Sequence, residues 1–405
     1  MNQAEPSAAS PRLMSLDVLR GFDMFWILGA DAVVLALGGI SHAAPVRALA
    51  AQMDHKVWAG FAFYDLIFPL FVFISGTALV FALPRSLARH GRAGTIRRIL
   101  LRAALLFALG IIHNGGLAEA WPEVRIAGVL QRIALAYAAT AILFCCCRPR
   151  TCYAVGVILL AGYWALLTFV PVRNVTLTTE AVTAALGTAK PSADQVRQWY
   201  EATTEQVTGR YERGLNLAHH LDYEWLPGAK YRTYWDPEGP LSTLPAIATC
   251  ILGLMAGHCL RREDRTERQK LAWLAVAGAV CLAAGWSWHR QFPVVKDIWS
   301  SSFVLVAGGW SLWLLALFHY LVDVRQWQGW CRPFLWIGLN PITLYMVSSL
   351  VSFHEIARRL VGGSVAGWLD GLCAGLGNLG VAVIALGLLL ALARFLHRRQ
   401  IYLRV

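Results

Sequence analysis

Apolar stretches of about 20 residues recur along the chain and are separated by shorter polar segments. A stretch of that length crosses the hydrocarbon core of a bilayer as one helix. Membrane β-barrels have instead segments of roughly 10 residues with alternating hydrophobicity, a pattern that this sequence lacks. The sequence therefore predicts an all-α polytopic membrane protein, one transmembrane domain over residues 1–405, with ten spans at 21–40, 61–83, 98–113, 128–147, 152–171, 243–259, 271–288, 302–321, 334–351 and 376–396.

The longest polar interruption, residues 172–242, is predicted to be an external loop insertion between the fifth and sixth spans. Ser192 is a suitable N-cap for a helix that we expect to run to about Arg213, with Gly214 at its end. None of the nine cysteines falls between Val172 and Pro240. The sequence therefore predicts no disulfide framework in the insertion.

Composition and charge agree with a membrane protein and suggest its orientation. The chain has 405 residues, of which 57% are hydrophobic and only 15% are charged, with a net charge of +12. A basic balance also occurs in nucleic-acid-binding proteins, but here Lys and Arg lie mainly in alternate short loops, as the positive-inside rule describes. That rule, counted from Arg12 to Arg404, predicts cytoplasmic N- and C-termini. The first apolar run, Phe22–Ile40, is too long for a cleaved signal sequence and predicts a retained span.

The stretch Asp54–Gly76 carries the strongest candidate chemistry. It begins with polar residues that include His55, and continues into an apolar span that contains Asp65. Ionisable residues within a membrane are costly and are usually functional, although a histidine near the interface is more often structural. A nearby carboxylate, from Asp65 or from Asp31 in the first span, would fix the tautomer of His55 and make it a base. The alternatives are a structural hydrogen bond for Asp65 and a helix cap or a water-exposed position for Asp31.

Other polar residues lie at the ends or breaks of predicted spans. Arg20 and Arg102 are expected either to bind a ligand or to extend to the interface, whereas Arg132 beside Gln131 predicts a buried polar pair. Asn340-Pro341 interrupts the ninth span, and such breaks are tolerated where they line a cavity.

Acidic residues precede the sixth span. Glu238, two residues after Asp236, suits contact with a substrate amine or hydroxyl, or else with the positive end of a helix. The spacings typical of metal-binding and nucleotide-binding motifs are absent from the sequence, so no metal site is predicted.

Five segments in order, from Leu13 to His354, resemble one known family: SLDVLRGFDMFWILGADA, DHKVWAGFAFYDLIFPLFVFISG, RIAGVLQRIALAYAA, WDPEGPLSTLPAIATCILGLMAG and LNPITLYMVSSLVSFHE. They are similar to the heparan-α-glucosaminide N-acetyltransferase family of transmembrane acyltransferases, and most of all to its bacterial NagX-type members of N-acetylglucosamine utilisation. The resemblance implies acetyl transfer from cytosolic acetyl-CoA to the amine of a glucosamine across a bacterial inner membrane.

The resemblance also implies roles for individual residues. The family's catalytic histidine corresponds to His55, in a setting that here includes Trp58, Gly60, Asp65, Leu66, Phe68 and Pro69. A functional asparagine of the animal enzyme corresponds by counting to Asp31. This is a departure, because an ionised Asp accepts hydrogen bonds but does not donate one.

The resulting hypothesis has three groups of site residues. We predict catalytic roles for His55, Asp31 and Asp65. Because CoA phosphates favour Arg and a thioester oxygen needs a donor, we predict binding of acetyl-CoA by Arg20, Arg97, Arg98, Arg102, Arg132 and Asn340. Binding of the amino-sugar acceptor is predicted for Trp58, Asp236, Glu238 and His354. The expected partners are these two substrates and the lipid bilayer, without nucleic acid, and the sequence leaves a homodimer open.

Two other functions remain open at this point. An amino-sugar transporter would use the polar intramembrane residues as its path, but residues 13–171 and 243–396 show no evident inverted repeat. An O-acetyltransferase of a cell-envelope glycan would retain His55 as its base and differ only in the acceptor.

Overall fold

A computed structural model describes residues 13–41, 43–116 and 118–402. Arg12 and Arg404, which contribute to the predicted orientation, lie outside these ranges. Within them, eight helical segments are long and apolar enough to cross a membrane: Met14–Ile40, Phe63–His113, Val129–Cys146, Pro149–Phe169, Pro240–Arg261, Glu267–Trp288, Ser301–Val324 and Leu376–Arg398. The predicted all-α polytopic fold is confirmed.

The first of these segments is not a uniform helix. It comprises α1 (Met14–Phe25), a wide turn at Trp26–Ala30, and α2 (Asp31–Ile40). Gly29 in the turn has a φ of 123°, which only glycine adopts readily. A short helix, α3 (Ala44–Met53), then leads toward His55 on the side predicted to be external.

The segment Phe63–His113 (α4) has 51 residues but accounts for two predicted spans. Gly91 has φ 65° and ψ −178°, outside the helical region. Ser86 Oγ and Thr95 Oγ1 lie 3.1 Å apart, whereas a straight helix would separate positions nine residues apart by about 13 Å. The chain therefore reverses at Gly91, within the Arg-rich segment predicted to be cytoplasmic.

The next helices carry the chain to the external insertion and back. They are α5 (Val129–Cys146), α6 (Pro149–Phe169), α7 (Thr179–Leu186), α8 (Ala193–Ala202), α9 (Leu217–Trp225) and α10 (Pro240–Arg261). Two short strands, β1 (Val172–Arg173) and β2 (Gln206–Val207), pair in antiparallel fashion across the base of the insertion. The insertion has its own small apolar core, which includes Val175, Leu177, Tyr200 and Trp235.

The predicted helix from Ser192 to Arg213 is wrong at its C-terminal end. Ser192 caps α8, and its side chain and that of Gln195 exchange hydrogen bonds with the backbone of the other residue. The helix nevertheless ends at Ala202, because the next residues form strand β2 and Glu205 accepts a hydrogen bond from the Asn174 amide. Pairing with β1 thus replaces the last helical turns.

The remaining helices are α11 (Glu267–Trp288), α12 (Ser301–Phe318), α13 (Arg332–Gly338), α14 (Pro341–Leu350), α15 (Phe353–Val361), α16 (Ser364–Leu372) and α17 (Leu376–Arg398). A wide turn follows α12 at His319–Val324, and a short 3₁₀ turn precedes α13 at Gly329–Cys331. Helices α13 and α14 form the predicted ninth span, broken at Asn340 as its Asn-Pro sequence suggested. Counting α4 as two spans and α13–α14 as one broken span accounts for the ten predicted positions.

Close helix contacts at glycines hold the bundle together. A Cβ atom added to Gly76 of α4 would lie 1.9 Å from the Cys250 carbonyl oxygen of α10. A Cβ atom at Gly253 of α10 would lie equally near the Phe73 carbonyl oxygen of α4. Small residues of this kind allow membrane helices to approach backbone to backbone.

We expect Gly76→Ala to destabilise the protein by about 1–3 kcal/mol, because the added methyl group forces α4 and α10 apart. Gly387→Ala in α17 is the matched control, since an added Cβ atom there meets nothing within 4 Å. Thermal unfolding in detergent measures the stability of both variants. Equal unfolding temperatures for the two variants would contradict the proposed packing role of Gly76.

Candidate active site

A cavity of about 390 Å³ opens beside His55. Its inner wall is largely apolar and comes from α1 and the turn after it, α4, α5 and α14, through Met24, Ile27, Ile67, Phe68, Phe71, Leu130, Ile133 and Ile342. Its other end carries polar residues from loops: His55, Arg125, Arg232, Glu238, Lys296 and Asp297. The cavity therefore joins a polar mouth to an apolar interior between helices.

His55 and Asp65 are in direct contact at this mouth. His55 Nδ1 lies 2.8 Å from Asp65 Oδ1, and Asp65 is only 1% exposed whereas His55 is about half exposed. A carboxylate at Nδ1 favours the tautomer in which Nδ1–H donates to it, so Nε2 is left to accept a proton. Of the two carboxylates considered for His55, Asp65 is the one that contacts it.

The local fold explains why Asp65 occupies this position. It is the third residue of α4, and its Oδ2 atom accepts hydrogen bonds from the amides of Ala62 (3.0 Å) and Lys56 (3.4 Å). A carboxylate is favoured there by the free N–H groups and the positive end of the helix. Asp65 therefore caps α4 and orients His55 at the same time.

Asp31 is linked to His55 through a third residue, Tyr64. The Tyr64 hydroxyl interacts with the Asp31 side chain. The Tyr64 ring packs against the His55 ring, with centroids 4.9 Å apart. Tyr64 therefore lies between Asp31 and the His55 imidazole. The catalytic role proposed for Asp31 stays a prediction.

Lys296 is a member of the site that the sequence reasoning missed. Its Nζ atom lies 3.0 Å from His55 Nδ1, 3.1 Å from His55 Nε2 and 3.7 Å from Asp65 Oδ1. The Gly60 amide donates to the Val294 carbonyl at 2.9 Å, and Ala59 pairs with Val295. This pairing brings the loop before α12 alongside the His55 loop, although the two are 241 residues apart.

A second polar group of the cavity is built around Arg125. Its guanidinium donates to both oxygens of Asp236, at 2.7 and 2.8 Å, and to Glu238 Oε2 at 2.8 Å. Although burial acts to raise it, hydrogen bonds from Arg125 hold the pKa of Asp236 below its ordinary value. Burial raises the pKa of Glu238, which lines the cavity, to about 7. Asp236 therefore orients Arg125, and Glu238 presents a carboxyl group that titrates near neutrality.

The other predicted acceptor-binding residues lie apart from the described cavity lining. Trp58 donates from its indole N–H to the Tyr211 carbonyl at 3.1 Å, and its ring packs against His219 and Trp235 in the external insertion. His354 is exposed at the start of α15. Their proposed roles in acceptor binding stay predictions.

The residues predicted to bind acetyl-CoA also lie outside the described cavity lining. Arg132 is 1% exposed and donates to the Pro237 carbonyl and the Ser242 hydroxyl beneath the site. Asn340 donates to the Ile401 carbonyl at 2.9 Å. Arg20 pairs with Asp17 at 3.0 Å. The remaining three, Arg97, Arg98 and Arg102, lie in the second half of α4, beyond its reversal.

Across residues 13–41, 43–116 and 118–402, no group of three or more His, Cys, Asp or Glu side chains is arranged to hold a metal ion. The side chains of His55, Asp65 and Lys296 contact one another at the mouth of the cavity.

Comparison with known proteins identifies proteins that are similar to this chain. Residues 12–191, which include His55 and Asp65, match the family described as heparan-alpha-glucosaminide N-acetyltransferase, catalytic. The human heparan-alpha-glucosaminide N-acetyltransferase is 28% identical over 84% of this chain and 53% of its own length. The mouse protein of that name is 29% identical over 72% of this chain and 48% of its own length. The chain spans about half the length of these relatives. These matches make the chain similar to the heparan-α-glucosaminide N-acetyltransferases, and the family match covers the segment that holds His55 and Asp65.

Proposed function

We propose that this protein is a transmembrane N-acetyltransferase. It moves the acetyl group of cytosolic acetyl-CoA to the amine of glucosamine, or of a glucosamine-containing sugar, at the external face. The observation that carries the proposal is the 2.8 Å contact between His55 and Asp65 at the mouth of a cavity that continues between helices. The human and mouse relatives are named heparan-alpha-glucosaminide N-acetyltransferases, which supports transfer of an acetyl group to the amine of a glucosaminide.

His55 serves as the general base in this reaction. An ammonium has no lone pair with which to attack a thioester, so the acceptor must react as a free amine. His55 Nε2 takes a proton from the amine as the N–C bond forms. When the C–S bond breaks, the imidazolium returns that proton to the leaving thiolate, so that amide and thiol are the products.

The two ends of the cavity suit the two substrates. The apolar inner wall fits the acetyl group and the uncharged arm of CoA, which would enter between the helices. The Arg-rich reversal of α4 lies on the predicted cytoplasmic side, where CoA phosphates would meet Arg97, Arg98 and Arg102. The polar mouth, with Glu238 and Asp297, faces the predicted external side and suits an amino sugar. In a bacterial inner membrane, this orientation places both termini in the cytoplasm.

The experiment that tests this function is release of free thiol from acetyl-CoA by the purified protein. We expect release that depends on glucosamine, with N-acetylglucosamine as the product. N-Acetylglucosamine has no free amine and offers only hydroxyl groups as nucleophiles, so as an acceptor it should support no release. Equal release with both sugars would favour the O-acetyltransferase alternative. Uptake of labelled sugar into liposomes without acetyl-CoA would favour the transporter.

Glu238 should make acceptor binding depend on pH. Its carboxyl group is largely neutral below its pKa of about 7 and ionised above it. A carboxylate binds an amino sugar more strongly than a neutral carboxamide does, by about 1.4 kcal/mol or tenfold. Glu238→Gln is therefore expected to raise the KM for glucosamine about tenfold at pH 8 and much less at pH 6.

The control for this prediction is Glu355→Gln, which removes an exposed carboxylate of α15. We expect its KM for glucosamine to match that of the wild-type protein at both pH values. A Glu238→Gln effect of the same size at pH 6 and pH 8 would contradict the proposed role of the ionised carboxyl group.

A further inference from the structure

The loop that carries Lys296 is held firmly by the surrounding structure. The Trp299 amide donates to the Lys296 carbonyl at 2.8 Å, and the Val295 amide donates to the Ser300 hydroxyl at 3.0 Å. The neighbouring side chains of Val294, Val295 and Ile298 are fully buried. Lys296 therefore extends from a fixed backbone toward the cavity, unlike a lysine on a mobile surface loop.

The contacts of Lys296 leave part of its hydrogen-bonding capacity for a ligand. An ammonium has three N–H donors, and one of those of Lys296 faces His55 Nε2 at 3.1 Å. Asp65, its nearest carboxylate partner in the described chain, lies at 3.7 Å, beyond hydrogen-bonding distance, and already accepts from His55 and from two backbone amides. Burial lowers the pKa of Lys296, against the opposing effect of Asp65. The site thus holds a partly desolvated lysine ammonium that lines the cavity beside the base.

The sign of this charge indicates which substrate atom it suits. A lysine ammonium repels the protonated amine of an acceptor, and so does not serve as its binding group. It does attract an oxygen that becomes negative. In the proposed reaction that atom is the thioester carbonyl oxygen, which gains a full negative charge when the amine attacks.

We infer that Lys296 is a catalytic residue that donates a hydrogen bond to this oxygen and stabilises the tetrahedral intermediate. The inference rests on the proposed acetyl transfer. As the N–C bond forms, the C=O π electrons move onto oxygen beside the Lys296 ammonium, while His55 takes the amine proton. As C=O re-forms, the C–S bond breaks and the sulfur receives the proton from His55. Lys296 gains and loses no proton overall.

The spacing of the two residues agrees with these roles. The attacking nitrogen and the oxyanion are bound to the same carbon, so the base and the oxyanion donor must be close neighbours. Donors act at about 2.7–3.1 Å from the oxyanion, and bases at a similar distance from the proton-bearing atom. Lys296 Nζ lies 3.1 Å from His55 Nε2, which places a donor next to the base. Asn340, considered from the sequence for this oxygen, donates instead to the Ile401 carbonyl.

The test compares Lys296→Met with Lys296→Arg. Loss of one oxyanion donor lowers turnover by about 10²–10³-fold, so we expect that loss in kcat for Lys296→Met. The KM for glucosamine and the Kd for CoA should change less than threefold, because the oxyanion exists only in the intermediate. Lys296→Arg keeps the positive charge, so its kcat should be at least tenfold higher than that of Lys296→Met. Lys190→Met, at an exposed position in the insertion, is the control and should match wild type.

Thermal unfolding of each variant separates catalysis from folding. A merely structural Lys296 would lower the unfolding temperature of Lys296→Met, and Lys296→Arg would not restore kcat selectively; that pattern overturns the inference. Wild-type kcat in a folded Lys296→Met variant overturns it as well, while leaving the proposed function intact. If the wild-type protein itself releases no thiol with glucosamine, the proposed function fails, and the inference fails with it.

Discussion

Replacing His55 with alanine is expected to lower kcat/KM for acetyl transfer by about 10²–10⁴-fold, the contribution of a well-placed general base. The amine then loses the group that accepts its proton, and the thiolate loses the group that returns it. The Kd for CoA should remain close to the wild-type value, because the polar mouth lies apart from the apolar wall proposed for the CoA arm. Thiol release measured over a range of glucosamine concentrations gives kcat/KM, and calorimetric titration with CoA gives the Kd.

The matched control for this variant is His90→Ala. His90 is exposed next to the reversal of α4, far along the helix from the cavity mouth. We expect it to retain wild-type kcat/KM. His55→Ala turnover within about threefold of wild type would show that another group accepts the proton, and the role assigned to His55 would have to be abandoned.

The second large effect is expected for Asp65→Asn, which keeps the size of the side chain but removes its charge. The carboxylate fixes the His55 tautomer and compensates the positive charge of Lys296 nearby. An amide has no charge and does neither reliably. We expect kcat to fall by about 10²–10³-fold. Because an amide oxygen still accepts the Ala62 and Lys56 N–H groups, the loss of stability should stay near the value for a weakened helix cap, about 1 kcal/mol.

Asp54→Asn is the control for this prediction. Asp54 is exposed and lies immediately before His55 in the sequence, so it tests whether any negative charge near the histidine is sufficient. Its kcat should equal that of the wild-type protein. A similar kcat loss in Asp54→Asn and Asp65→Asn would mean that the direct 2.8 Å contact is not the source of the effect.

Features that depend on neighbouring residues could be predicted from the sequence. Apolar runs predict spans, because each helix must bury its own backbone polar groups in the bilayer. The sequence Asn340-Pro341 likewise predicted the break between α13 and α14. Asp65 was one of two carboxylates proposed for His55. The two residues are ten positions apart in the sequence, which allows the start of α4 to bring them together.

Features that depend on distant parts of the chain could not be predicted in this way. Lys296 meets His55 only because the loop before α12 pairs with residues 59–60, and no local pattern encodes that pairing. A signal did exist, since Lys296 interrupts a run of apolar residues, and a charge within such a run is costly. The C-terminal end of α8 was predicted incorrectly for the same reason, because its last turns are replaced by pairing between β1 and β2.

In the proposed reaction, acetyl groups pass from acetyl-CoA on one side of the membrane to an amine on the other. The most direct measurement uses proteoliposomes loaded with glucosamine, with acetyl-labelled acetyl-CoA added only outside. Molecules inserted with the Arg-rich reversal of α4 outward should produce labelled N-acetylglucosamine inside the vesicles, and His55→Ala vesicles should produce none above background. Labelled product only when both substrates are on the same side, or none with folded wild-type protein, would contradict the claim.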